Sequence, residues 1–141
     1  MIGFESLNKQ RCEVILPLLC ELYPSIAQEV LLQRVYKVIV TDWQCEILKE
    51  EEEIIALSGY RIMDRLCYGK FMYIDHFIVD QAYRDSSTSA HILDHLIEIA
   101  KAEDCESIIL DTFVTNSKAQ RLWLNNDFNI VGFHFQRLLE N

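Results

Sequence analysis

The chain has 141 residues, half of them apolar and a quarter charged, with a formal net charge of −9. That is the length of one ordinary domain and the balance of a globular chain, so neither a disordered tail nor a disulfide or metal staple is required. The acidic balance excludes a nucleic-acid backbone as partner, because binding one takes clustered Lys and Arg; a neutral or cationic small substrate fits it better.

In chain order, Leu7 to Leu22 is predicted as a helix, with Ile15, Leu18, Leu19 and Leu22 on one face and Pro17 either kinking it or lying in its first turn. Pro24-Ser25 announces a second helix, with Ser25 as cap and Leu31, Val35, Val38 and Ile39 as its apolar stripe. Gln44–Lys49 and Ile54–Met63 are predicted as antiparallel strands around the acidic run Glu50–Glu53, which is expected to be a solvated hairpin loop. Phe71–Val79 is nearly continuous apolar and aromatic, the pattern of a central strand covered on both faces.

A polar stretch, Arg84 to Ser89, precedes an amphipathic helix that buries Leu93, Leu96, Ile97 and Ala100. Ser107–Thr112 is then a strand, Ser117–Asn126 a helix and Phe128–Leu138 a closing strand. The order predicts one α/β domain over residues 1–141, a mixed sheet with helices on its faces.

Cys12, Cys20, Cys45, Cys67 and Cys105 are odd in number and show no C-x-x-C spacing, so they are expected to be reduced, mostly buried thiols in a cytoplasmic protein. The opening Met1–Glu5 lacks a basic stretch followed by an apolar core, so no signal peptide is expected. No apolar run approaches the ~20 residues of a membrane span, and no membrane partner is expected. His91 and His95 have the spacing of metal ligands on a helix, but nothing completes a site, so a solvated face and no metal are expected.

The chemistry is expected between Tyr73 and Ala100. A buried strand, a polar loop and a helix start make an anion site, because the first helical amides lack internal partners and carry the positive end of the dipole. Arg84 adds a full charge at the loop entrance. In residue terms alone, Ser86, Ser87 and Thr88 serve equally well as caps. Asp75 is a carboxylate in an apolar strand, hence either a general base or the partner of Arg61 or Arg65. His76, expected on the opposite face, is the alternative base, and His134 a third candidate better suited to a core.

Several motifs carry a resemblance. Arg84, Ser87 and Ser89 stand where a loop signature has Arg or Gln, then Gly, then Gly or Ala. Asn116, Ala119, Leu122 and Phe128 fit the pattern Asn-x-x-Ala-x-x-Phe-Tyr-x-x-x-Gly-Phe, with Trp123 at the tyrosine and Asp127 at the glycine. Gly59-Tyr60-Arg61-Ile62, Tyr73-Ile74-Asp75 and Phe133-His134-Phe135 complete the likeness. From Leu7 to Leu138 the sequence resembles the GNAT superfamily of N-acetyltransferases.

That resemblance implies a mostly antiparallel mixed sheet flanked by about four helices, and acetyl-CoA as co-substrate. Phe77, Ile78 and Val79 would pair with the pantetheine arm, and Arg84, Asp85, Ser86, Ser87, Thr88, Ser89 and Ala90 would cradle the pyrophosphate. Asn116 would touch the coenzyme, with Ala119 and Trp123 at its thiol end. Acetyl would pass to a primary amine of a small molecule or protein, deprotonated by Asp75 with His76. The alternative is a catalytically impaired binding or regulatory module of the same fold, because the loop glycines and the tyrosine are replaced and Asp85 stands beside the phosphates. Small members of the superfamily often pair through their sheets, which adds a homodimer to what the resemblance implies.

Overall fold

The computed structural model describes residues 2–84 and 87–140. The chain divides after Ile109 into two compact units.

The first unit is built on a five-stranded sheet in the order β1 (Ile2–Ser6), β2 (Gln44–Glu50), β3 (Glu53–Arg65), β4 (Gly69–Val79), β5 (Ser107–Ile109). The first four are antiparallel neighbours and β5 joins β4 in parallel. The mixed sheet is the expected one, and β2, β3 and β4 lie where periodicity put them. β1 was not foreseen: its residues alternate without a clear apolar face and are all exposed, and it forms by pairing along β2 from Ile2↔Glu50 to Ser6↔Glu46.

Two helices cover one face. The predicted Leu7–Leu22 helix divides into a 3-10 segment, Lys9–Ile15, and α1, Leu16–Leu22, with Pro17 in the first turn of α1, where its missing N–H costs nothing. The second, α2, runs Gln28–Val38. Its cap is Ala27 without a side-chain bond, not Ser25, because the turn after Pro24 delays the helix. Beneath them the cross-strand row Ile47, Leu57, Ile78 joins Leu19, Leu31, Val35 and Trp43 in one core. On the opposite face the row Leu48, Ala56, Val79 packs with Ile92 of α3, Thr88–Ala102. The strand β4 is thus covered on both faces, as its unbroken apolar run predicts.

Glu50–Glu53 form the β2–β3 turn, with Glu51 at φ 55°. Cys12 and Cys45 are buried, Cys20 and Cys105 partly so, whereas Cys67 is exposed because it falls in the β3–β4 turn; none is in a disulfide. Among the described residues no helix is long and apolar enough to cross a membrane.

The second unit contains α4, Ser117–Leu124. The predicted closing strand 128–138 is absent, and Ile130, Val131, Phe133, Phe135, Leu138 and Leu139 are 72–90% exposed. Alternation identifies a segment able to be a strand, but the ladder bonds must come from a partner, and none pairs with it among the described residues. The predicted strand from Ser107 likewise stops at Ile109 rather than Thr112.

Candidate functional site

In the first unit the β3–β4 ladder is interrupted. Leu57 pairs with Ile78 and Gly59 with Asp75, so Ser58 alone faces two residues, His76 and Phe77. This is a β-bulge, and His76 takes the left-handed φ of 61°. For a residue with a Cβ that conformation costs about 1–2 kcal/mol, although His tolerates it better than branched side chains.

The extra residue changes which way side chains face. Asp75, paired with Gly59, lies on the face of α1 and α2, since a Cβ on Gly59 would point into Trp43. Strict alternation would send His76 to the other face, as expected from sequence. Instead His76 meets Trp43 edge-on, ring centroids 5.9 Å apart, and its Nδ1 lies 2.8 Å from the Tyr23 hydroxyl. The His76 imidazole and the Asp75 carboxylate therefore share one face.

The electrostatics follow. Burial pushes the His76 imidazole below its ordinary value; neighbouring Asp75 pulls upward, and Arg61 adds to the downward pull. His76 is thus held neutral and able to take a proton. Burial and Asp75 raise the Tyr23 phenol, which keeps its proton. Arg61 Nη1 binds Asp42 at 2.8 Å, while its Nε is 3.7 Å from Asp75 Oδ2. The predicted Arg61 partnership of Asp75 is present as a looser second contact. Arg65 turns elsewhere, its guanidinium 5.3 Å from the Phe71 ring centroid.

Beside the bulge the sheet opens. The β4–β5 ladder runs only from Phe71↔Ser107 to Tyr73↔Ile109, while β4 continues to Val79. Phe77, Ile78 and Val79 lie past the end of β5. Beyond them, the 3-10 turn Gln81–Tyr83 is capped by Asp80, and Arg84 Nε donates to the Val79 carbonyl at 2.9 Å. Asp85 and Ser86 lie outside the described residues. Ser87 is the N-cap of α3 with φ −79°, and its side chain makes no capping hydrogen bond. A serine at the first loop-glycine position therefore needs no left-handed backbone. Thr88, Ser89 and Ala90 form the first turn of the helix. An anion suits a helix start, because the first-turn amides carry the dipole's positive end.

In the second unit, Asn116 Oδ1 accepts from Ala119 N at 3.1 Å and caps α4. Trp123 is buried against Phe128, centroids 5.2 Å apart. Asp127 stands at φ 69°, so the position where the family pattern has glycine does require a left-handed residue. His134 is exposed and 3.4 Å from Asp111 Oδ2, rather than in a core.

The other histidines also resolve. His91 is solvated, but His95 is not: its Nε2 is 2.6 Å from Glu46 Oε1 and its ring stacks on Phe4 at 3.9 Å. Glu46 is only 5% exposed and also accepts from Ser6 Oγ at 2.6 Å. The cluster ties α3 to β1 and β2. Among the described residues no three metal-binding side chains meet. Burial pushes the Cys45 thiol up to about 12, which removes it as a nucleophile. Tyr23 and Trp43 were missed by sequence reading; 53 positions separate Tyr23 from His76, and no local spacing joins them.

Comparisons with known proteins agree with this fold. Residues 15–128 match the acetyltransferase (GNAT) family. No curated protein matches the chain. Among solved structures, a transcriptional regulator from Bacillus halodurans superposes with a TM-score of 0.84 at 18% identity, covering 99% of this chain and 100% of that one. An integron cassette protein from V. cholerae gives 0.83 at 16% identity, covering 99% and 93%. An aminoglycoside N-acetyltransferase in complex with CoA gives 0.77 at 15% identity, covering 98% and 96%.

Proposed function

The chain belongs to the GNAT acetyltransferase family, and we propose that it moves acetyl from acetyl-CoA to a primary amine of a small molecule or protein. The observation that carries this reading is the conjunction, on one strand, of the His76 bulge and the run of β4 past the end of β5. The coenzyme would supply an activated thioester. The main chain of Phe77–Val79 would pair with its pantetheine arm, and the start of α3, with Arg84 and Ser87–Ala90, would receive its pyrophosphate. Asn116, Ala119 and Trp123 would stand at the coenzyme's thiol end, and residues 1–141 would act as a single acetyltransferase domain.

On this reading Asp75 holds the incoming ammonium and His76, kept neutral by burial, takes its proton. The amine nitrogen bonds to the acetyl carbon, the carbon–sulfur bond breaks with its electron pair leaving on sulfur, and the second proton that the nitrogen sheds on becoming an amide passes to the released thiolate. A thiol with an ordinary value near 8.5 is a good enough leaving group to depart as thiolate, so Trp123 need not act as an acid. The net charge of −9 favours an amine that arrives protonated. Five unpaired thiols support a cytoplasmic setting. A homodimer belongs to the same reading, because it would cover apolar side chains such as the exposed Val131, Phe133 and Phe135.

Calorimetric titration with acetyl-CoA, followed by thiol release with an amine panel, tests the proposal. Binding that Arg84→Ala weakens, together with amine-dependent thiol release, is the expected result. Binding without release leaves the impaired-module reading, and absence of binding at millimolar coenzyme overturns the assignment.

A further inference from the structure

A cavity of about 420 Å³ lies between the helix pair and the sheet, its lining including Leu19, Tyr23, Leu31, Val35, Val38, Trp43 and His76. The volume is that of a small-molecule site, and the walls are largely aliphatic and aromatic. The only charged side chains in its lining are Arg34 and Lys37, both on α2 and both exposed. Neither has an ion-pair partner among the described residues. In a chain with 22 acidic residues, a cavity lined by two cations and no carboxylate runs against the overall field.

Resting on the acetyltransferase reading, we infer that this cavity receives the acceptor, and that the acceptor is an amine with an apolar body and an anionic group at its far end. Its amine meets His76, its body fills the aliphatic chamber, and its anion meets Arg34 and Lys37. The long-range field acts on net charge, whereas the lining selects the distribution of charge along the molecule. A polyamine would set ammonium groups against the two α2 cations and is disfavoured.

The probes are 4-(aminomethyl)benzoate, benzylamine and spermidine, titrated calorimetrically without coenzyme into wild type and Arg34→Gln/Lys37→Gln. Two partly exposed ion pairs should make the benzoate bind about fivefold or more tightly than benzylamine, and the double variant should erase that difference. Equal binding, preference for spermidine, or a preference that survives the double variant overturns the inference. The readout is independent of acetyl transfer. If the benzoate preference holds but acetyl-CoA neither binds nor turns over, the acetyltransferase reading fails and the cavity's selectivity stands. A cavity-filling Val38→Trp gives a second check: it should abolish benzoate binding while acetyl-CoA affinity persists.

Discussion

The hydroxyl of Tyr23 and Nδ1 of His76 lie 2.8 Å apart, joining the turn after α1 to the bulge in β4. The contact exists because His76 is left-handed, which turns its ring toward α1 and α2 instead of α3. If His76 is the base, His76→Asn should lower kcat by about 100-fold or more while leaving acetyl-CoA affinity unchanged. Asn tolerates the same φ, so the fold is kept. Tyr23→Phe removes only the bond that orients the ring, and a loss of about fivefold in kcat corresponds to one ordinary hydrogen bond. Steady-state kinetics alongside coenzyme titration checks both.

The same φ gives a prediction about stability alone. In a strand, Ala normally surpasses Gly. At position 76 the order should reverse, with His76→Gly more stable than His76→Ala by about 1 kcal/mol, because only glycine adopts the bulge without strain. Urea unfolding of the two variants decides it.

His76 should also shape stability against pH. Its folded-state value is lowered by burial, so the unfolded chain binds the proton more readily. Stability from this group is fully present above the unfolded value of about 6.5 and is lost as pH falls through the lower folded value. Urea midpoints at pH 7.5 and 5 should therefore differ more for wild type than for His76→Asn. Equal pH dependence in the two proteins would remove the buried neutral imidazole from the account.

Gly59 is the counterpart of Asp75 across the ladder, and a Cβ there would lie 2.4 Å from Trp43 Nε1. Gly59→Ala should cost about 1–3 kcal/mol through overpacking. Trp43→Leu in the same chain should recover part of that loss. A double-mutant cycle in urea measures the coupling, and simple additivity would mean that the indole does not press on Gly59.

Away from the proposed chemistry, Glu46 is held by Ser6 and His95. His95→Ala would leave a buried carboxylate short of a donor and should destabilise the protein by about 1–3 kcal/mol, with Ser6→Ala costing less. Thermal unfolding of both variants checks the ranking.

The sequence by itself determined the elements with strong periodicity: the β2–β3 hairpin, the run of β4, the helix α3 and the motif residues from Arg84 to Asp127. Each depends on neighbours a few positions away, which is what periodicity and motif spacing report. Only the tertiary structure decided the rest. β1 forms because β2 offers an edge, Ser107–Thr112 stops at Ile109, and 128–138 stays unpaired despite its alternation, since ladder bonds belong to two segments and not to one. One inserted residue in β4 likewise overrode alternation and brought His76 to Tyr23, Trp43 and the cavity. Which face a side chain takes is a property of register, and register is settled only when strands meet.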